Sequence, residues 1–185
     1  MTEKTDYPMA LPPPDGPLTA IGEELLAGGK AASRKSPRGR IIQPLHKQGG
    51  DLLQRMLNTL QPGSYIRPHR HAPGRGESIV VLSGTLLYLT FTEEGAVDVV
   101  LRLKAGAPEF GVDTEGGIWH CFMALEPDTV LFEVKPGPYD AKADKEFAPW
   151  APEEYSPESA AYLGELLDYA AKHHTCISMK WPDEP

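Results

Sequence analysis

From Asp51 to Pro136 the apolar and β-branched residues come in short runs separated by turn-forming residues, which is a strand pattern. "LLQRMLNTL" stops at Gln61-Pro62-Gly63, and "SYIRPHRH" is extended because Pro68 disfavours helix at Arg67. "ESIVVLSGTLLYLTF" is broken at Ser83-Gly84, and "AVDVVLRL" returns after the turn "EEG". "IWHCFMAL" and "TVLFEVK", parted by Glu126-Pro127-Asp128, complete the series. Short strands at this spacing predict a sandwich or barrel. One strand carries more information than the rest. If Glu77 faces inward, so do Ile79, Val81 and Ser83, yet Val80 and Leu82 on the opposite face are also apolar. A half-solvated strand would be polar there, so the outer face of this sheet is expected to be covered by terminal segments or a second subunit. That predicts a homodimer or a clamped sheet.

The flanks read differently. The proline-rich start, to about Pro17, is an arm or extended lead-in. "LTAIGEELLAGG" predicts a short helix with Thr19 as N-cap, Ile21 and Leu25 on one face, and Gly28-Gly29 as its stop. "SRKSPRGR" reads as a solvated basic loop. After Pro136 comes a long irregular segment with aromatic anchors at Tyr139, Phe147 and Trp150. A second helix is predicted from Ser156 as N-cap and Pro157 at its first position, with Leu163, Leu166, Leu167 and Ala170 as a packing face. The division that follows is an arm and short helix over 1–35, a β domain over 36–152, and a helix and tail over 153–185 packed on it. A length of 185 residues suits one core.

Composition narrows the partners. The formal net charge of −8 argues against a non-specific nucleic-acid binder, which needs a basic field. Cys121 and Cys176 lie far apart with no CxxC spacing, which speaks against a disulfide framework and for a reducing compartment. No run approaches the roughly 20 apolar residues of a membrane span, and "MTEKTDYPMALPPPDG" has no apolar h-region. A cytoplasmic protein is the expectation.

The chemistry concentrates in "PGSYIRPHRHAPGRGES". In an extended segment His69 and His71 share a face with Tyr65 and Arg67, while Pro68 and Arg70 point the other way. Two imidazoles on one face can grip one cation, because metal–nitrogen bonds of about 2.0–2.1 Å need converging rings. A hairpin through "APGRG" returns Glu77 beside them, and His120 in "GGIWHCF" supplies a third imidazole. The predicted metal ligands are His69, His71, Glu77 and His120. Three imidazoles and a carboxylate suit zinc, iron, manganese or nickel without choosing among them. Arg67 is expected to reach the cavity and clamp an anionic group, or else to pair with Glu133. Arg55, Tyr65, Tyr88, Glu133, Lys135 and Tyr139 are further candidates for the cavity or its rim. The adjacent His173 and His174 with Cys176 do not converge, so no metal site is expected there.

Gly63-x5-His69-x-His71-x5-Glu77-x6-Gly84 resembles the first cupin motif, and "GGIWH" resembles the core of the second. The longer string "QRMLNTLQPGSYIRPHRH…ES…VLSG", with "WH…ALEPDTVLFEVKPGPYD", is similar to the WbuC-type cupin-fold metalloproteins from about Ser36 to Pro152. The spacing from His71 to Glu77 is one residue longer than in the motif, and Ala124 stands where many cupins have asparagine. The resemblance implies a mainly β fold, a single cupin-type jelly-roll barrel with a short N-terminal and a C-terminal helix, and a divalent metal on His69, His71, Glu77 and His120. It also implies a small anionic or sugar-derived ligand. A non-catalytic metal-dependent sensor module and a metal-free, epimerase-like jelly roll are the alternatives.

Overall fold

Ten strands and two helices form over residues 7–175, which the computed structural model describes. In chain order these are α1 (Glu23–Lys35), β1 (Arg40–Pro44), β2 (Leu53–Leu60), β3 (His69–Arg70), β4 (Glu77–Ser83), β5 (Thr85–Phe91), β6 (Val97–Lys104), β7 (Gly111–Thr114), β8 (Trp119–Ala124), β9 (Thr129–Pro136), β10 (Glu146–Phe147) and α2 (Ser159–Lys172). Two five-stranded antiparallel sheets result, ordered β1-β2-β9-β4-β7 and β10-β3-β8-β5-β6. The fold is mainly β, as expected. Its hydrogen-bonded ladders form two separate layers rather than one closed barrel.

Two-sided burial explains why some strands read as continuous apolar runs. Every residue of β8 is buried. Phe122 and Ala124 join Leu86, Tyr88, Ile79, Val81 and Leu131 between the sheets. Trp119, Cys121 and Met123 face outward with Leu87 and Leu89, against Leu163, Leu166 and Ala170 of α2. Burying a leucine side chain contributes about 1.5–3 kcal/mol, so α2 is held by its apolar stripe. The turn between β4 and β5 depends on Gly84, whose φ is +77°. A Cβ there would stand 2.5 Å from Thr129 Oγ1, so only glycine fits.

Several sequence expectations are corrected. Helix α1 does not stop at Gly28-Gly29 and is not capped by Thr19; it starts after Gly22 and runs to Lys35. Gly29 faces β2, where a Cβ would meet Thr59 Oγ1 at 2.6 Å. The glycine therefore permits close packing instead of ending the helix. Leu26 buries against Leu57 and Val130 on this side, and the stop comes at Ser36, just before Pro37. Ser33, Arg34 and Lys35 are thus the last turn of α1, not a loop. Helix α2 begins at Ser159, after a turn in which the Ser156 carbonyl accepts from the Ser159 backbone N–H at 3.1 Å. Ser156 is not its N-cap. Strands β1, β7 and β10 were not foreseen. The proline-rich arm is docked from Ala10, where the Leu11 N–H donates to the Ile42 carbonyl at 2.8 Å.

The expected cover over the first sheet is half present. Helix α1 lies over β1, β2 and β9. On β4, Val80 is half-buried and Leu82 is 36% exposed, with Phe110 50% exposed beside them. Among the described residues no helix is long and apolar enough to cross a membrane. His173 stacks on Tyr169 with ring centroids 4.0 Å apart, and Cys176 lies outside the described residues.

Docking of α2 yields a direct test. Leu166→Ala should lower unfolding stability by about 2–4 kcal/mol in urea denaturation, the usual cost of emptying a buried leucine site. A loss under about 1 kcal/mol would mean that α2 does not close the second sheet.

Candidate metal centre

Strand β3 lies between β10 and β8, and His69 is the register partner of His120. His71 follows β3 directly, and Glu77 opens β4 on the opposite sheet. The loop between them packs closely on the Gly116-Gly117 turn, since a Cβ on Gly116 would overlap the Ala72 carbonyl. The Gly117 N–H donates to the His71 carbonyl at 2.8 Å. Four side chains thereby meet where the sheets come together, all nearly inaccessible: His69 3%, His71 4%, Glu77 4% and His120 1% exposed. The three histidines bring one ring nitrogen each within 4.8 Å of one another.

The backbone sets the imidazole tautomers. His69 Nδ1 lies 3.0 Å from the Arg67 carbonyl, His71 Nδ1 2.5 Å from that of Asp144, and His120 Nδ1 2.8 Å from that of Ile118. A carbonyl only accepts, so each Nδ1 carries a proton and donates, which turns each Nε2 toward the shared space. Glu77 faces two of these nitrogens, with Oε2 3.2 Å from His71 Nε2 and Oε1 3.0 Å from His120 Nε2. The second contact is close, yet neither atom has a hydrogen-bond partner of sound geometry. Buried acceptors facing acceptors are costly unless a proton or a cation stands between them. Burial, with Lys145 and His120 nearby, holds the His69 pKa well below the ordinary histidine range. Burial pushes the Glu77 carboxyl up, but its contacts with His120 and His71 outweigh this and hold it well below the usual range. Imidazole nitrogens and a carboxylate are the donors a divalent cation takes.

A cavity of about 480 Å³ opens above these residues, with His69, His71 and Glu77 on its floor. Glu133 and Lys135 line it. Glu133 Oε2 accepts from Asn58 Nδ2 at 2.6 Å, and Lys135 Nζ stands 3.6 Å from Glu133 and 3.0 Å from Asp144. Burial and then the neighbouring Glu77 raise the Glu133 pKa. Burial pulls Lys135 down, but Glu133 and Asp144 carry it above its ordinary value. Tyr139 and Phe147 stand at the walls.

Other candidates lie elsewhere. Arg67 does not clamp anything in the cavity and does not pair with Glu133. Its Nη2 donates to the Ala148 carbonyl at 2.8 Å, its Nη1 is 3.9 Å from Glu153, and its guanidinium lies over Phe147. Tyr65 is buried under α2, donating to the Pro152 carbonyl at 2.9 Å. The cause is local: β3 is only two residues long, so strand parity does not extend back to Arg67 and Tyr65. Arg55 is exposed on the outer side of β2, while its neighbours Gln54 and Met56 are buried. Tyr88 is wholly buried, stacked on His120 with centroids 5.7 Å apart and its hydroxyl 2.7 Å from Thr114 Oγ1. It buttresses a histidine and does not line the cavity. Arg70 points outward onto Trp119, Glu93 and Glu146.

The sequence reading missed Gln54, Met56, Asn58, Asp144 and Lys145. The first three alternate along β2, and their polar members among apolar neighbours were the available signal. Asp144 and Lys145 sit in an irregular strap, where no periodicity points anywhere.

Residues 21–103 match the model of a family described as a domain of unknown function, DUF6016. No curated protein matches. Among solved structures the chain is similar to the capsular polysaccharide assembling protein CapF from Staphylococcus aureus, with a TM-score of 0.47 and 21% identity over 57% of this chain and 31% of that one. It is also similar to KdgF from Halomonas sp., with a TM-score of 0.43 and 20% identity over 58% and 86% of the two chains. A cupin-2 domain containing protein from Shewanella frigidimarina gives a TM-score of 0.40 and 20% identity over 52% and 79%. The chain spans about a third of the length of the CapF structures it matches.

The contact of the Asp144 carbonyl with His71, and of its carboxylate with Lys135, makes the strap part of the metal centre's outer layer. Lys135→Met should weaken divalent-metal affinity by about 10-fold or more, within the range for lost outer-layer partners. Arg55→Met should leave it unchanged, both measured by competition with a fluorescent chelator.

Proposed function

We propose that this protein is a cupin-type metalloprotein that holds one divalent ion on His69, His71, His120 and Glu77 and presents it to a small anionic or sugar-derived molecule. One observation carries the reading: all three Nδ1 atoms are committed to backbone carbonyls, which leaves three Nε2 atoms and a carboxylate converging in one buried space. Bound there, a divalent metal supplies Lewis acidity toward an oxygen of the ligand.

The residues around it do the rest. Carbonyls of Arg67, Asp144 and Ile118 fix the ring orientations. Tyr88 backs His120 with a flat apolar surface. Lys135 pairs with both Glu133 and Asp144 on the wall. The low pKa of His69 means that metal can bind there near neutral pH without displacing a proton from the ring. We also infer that the uncovered half of the first sheet, around Val80, Leu82 and Phe110, packs on a second copy of the chain.

Elemental analysis of the purified protein should find about one divalent ion per chain, and His69→Ala and His120→Ala should each reduce it to a trace. Full folding with no bound ion, before and after incubation with zinc, iron, manganese and nickel salts, would rule the reading out in favour of a metal-free cup. Light scattering should give a mass near twice 20.2 kDa, and Leu82→Lys should halve it.

A further inference from the structure

Most charged groups lining the cavity are already satisfied. Apart from Glu77, which belongs to the metal centre, Glu133 meets Asn58 and Lys135, Asp144 meets Lys135, and Arg40 meets Glu154 at 2.6 Å. Lys145 differs. It lines the same cavity, and among the described residues no carboxylate lies within 4.0 Å of its ammonium and no hydrogen bond reaches it. It is half-buried and sits at the cavity wall, between this cavity and a smaller pocket lined by His71, Lys142 and Glu146. The nearest aromatic is Phe147, with Nζ 6.0 Å from the ring centroid.

The backbone keeps it there. Lys145 sits between Asp144, whose carbonyl and carboxylate are both engaged by His71 and Lys135, and Glu146-Phe147, which pair with β3 at Arg70 and His69. An ammonium with three donors and no acceptor, enclosed in protein, is costly in isolation. Burial and the nearby Lys135 pull its pKa below the ordinary lysine value. With a divalent ion set against Glu77, and Lys135 and Lys145 set against Glu133 and Asp144, the cavity floor carries one positive charge in excess.

We propose that Lys145 is a ligand-binding residue, and that the cavity takes a small carboxylate-bearing ligand held between the His–Glu floor and the Lys145 ammonium. This rests on the metal reading given above and goes further by naming the ligand's chemical class and the group that selects it. The arginines at the cavity are already engaged: Arg40 pairs with Glu154, Arg38 donates to the Met9 carbonyl at 2.9 Å, and Arg67 is held outside the cavity. The strap supplies a point charge instead.

The test uses full-length, metal-loaded protein and malonate as the probe, with affinity read by calorimetry and metal content measured on the same samples. Wild type should bind malonate. Lys145→Met should retain its metal and bind malonate at least tenfold more weakly, while Lys142→Met, an exposed position on the same strap, should match wild type. Equal malonate affinity in Lys145→Met with metal intact would overturn the assignment of Lys145 and leave the metal reading standing. Metal-loaded wild type that ignores malonate would overturn it as well. A chain that takes up no metal would overturn both.

Discussion

Three buried imidazoles and one buried carboxylate converging on one space are the constraint around which this molecule is arranged. The fold drives them together and leaves Glu77 Oε1 and His120 Nε2 without a hydrogen-bond partner. Water does not reach them freely, so the penalty is not relieved by solvation. What fixes this state is the backbone, which takes every Nδ1 proton through a carbonyl and thereby aims every Nε2 inward.

That arrangement needs both sheets and the strap. His69 and His120 are register partners in one sheet, Glu77 comes from the other, and His71 is oriented by a carbonyl from the segment after β9. The two-residue strand β10 matters for the same reason. It pairs with β3 on the side away from β8, so the histidine strand is held from both edges. The helices act at a distance. Helix α2 covers the back of β8 and β5, which allows Trp119, Cys121 and Met123 to be as apolar as the residues that face the core. Rigid support of this kind keeps a converging donor set from relaxing apart.

Much of this was legible in the chain. The alternation of His69 and His71 put two rings on one side, and "GGIWH" placed a third at the head of a strand. Glu77 reaches the rings although its loop is one residue longer than the cupin motif, because the extra residue is absorbed in the Ala72–Gly76 turn against Gly116. The arginines were read less well. Parity is a property of strands, and the segment carrying Tyr65 and Arg67 is not one, so both side chains turn toward the C-terminal segment. Glycine was misjudged in α1 because a helix stop and a close helix–sheet contact use the same residue.

By itself the sequence determined the β-rich character, the strand that carries the histidines and the identity of the donor groups, since side-chain chemistry and short-range periodicity are local. Only the tertiary structure decided which charges face the cavity. Lys145 and Asp144 belong to an irregular strap whose position follows from pairing with β3 and from the contacts of Asp144 with Lys135 and His71. Such placement depends on contacts between residues far apart in the chain, and no local pattern encodes them.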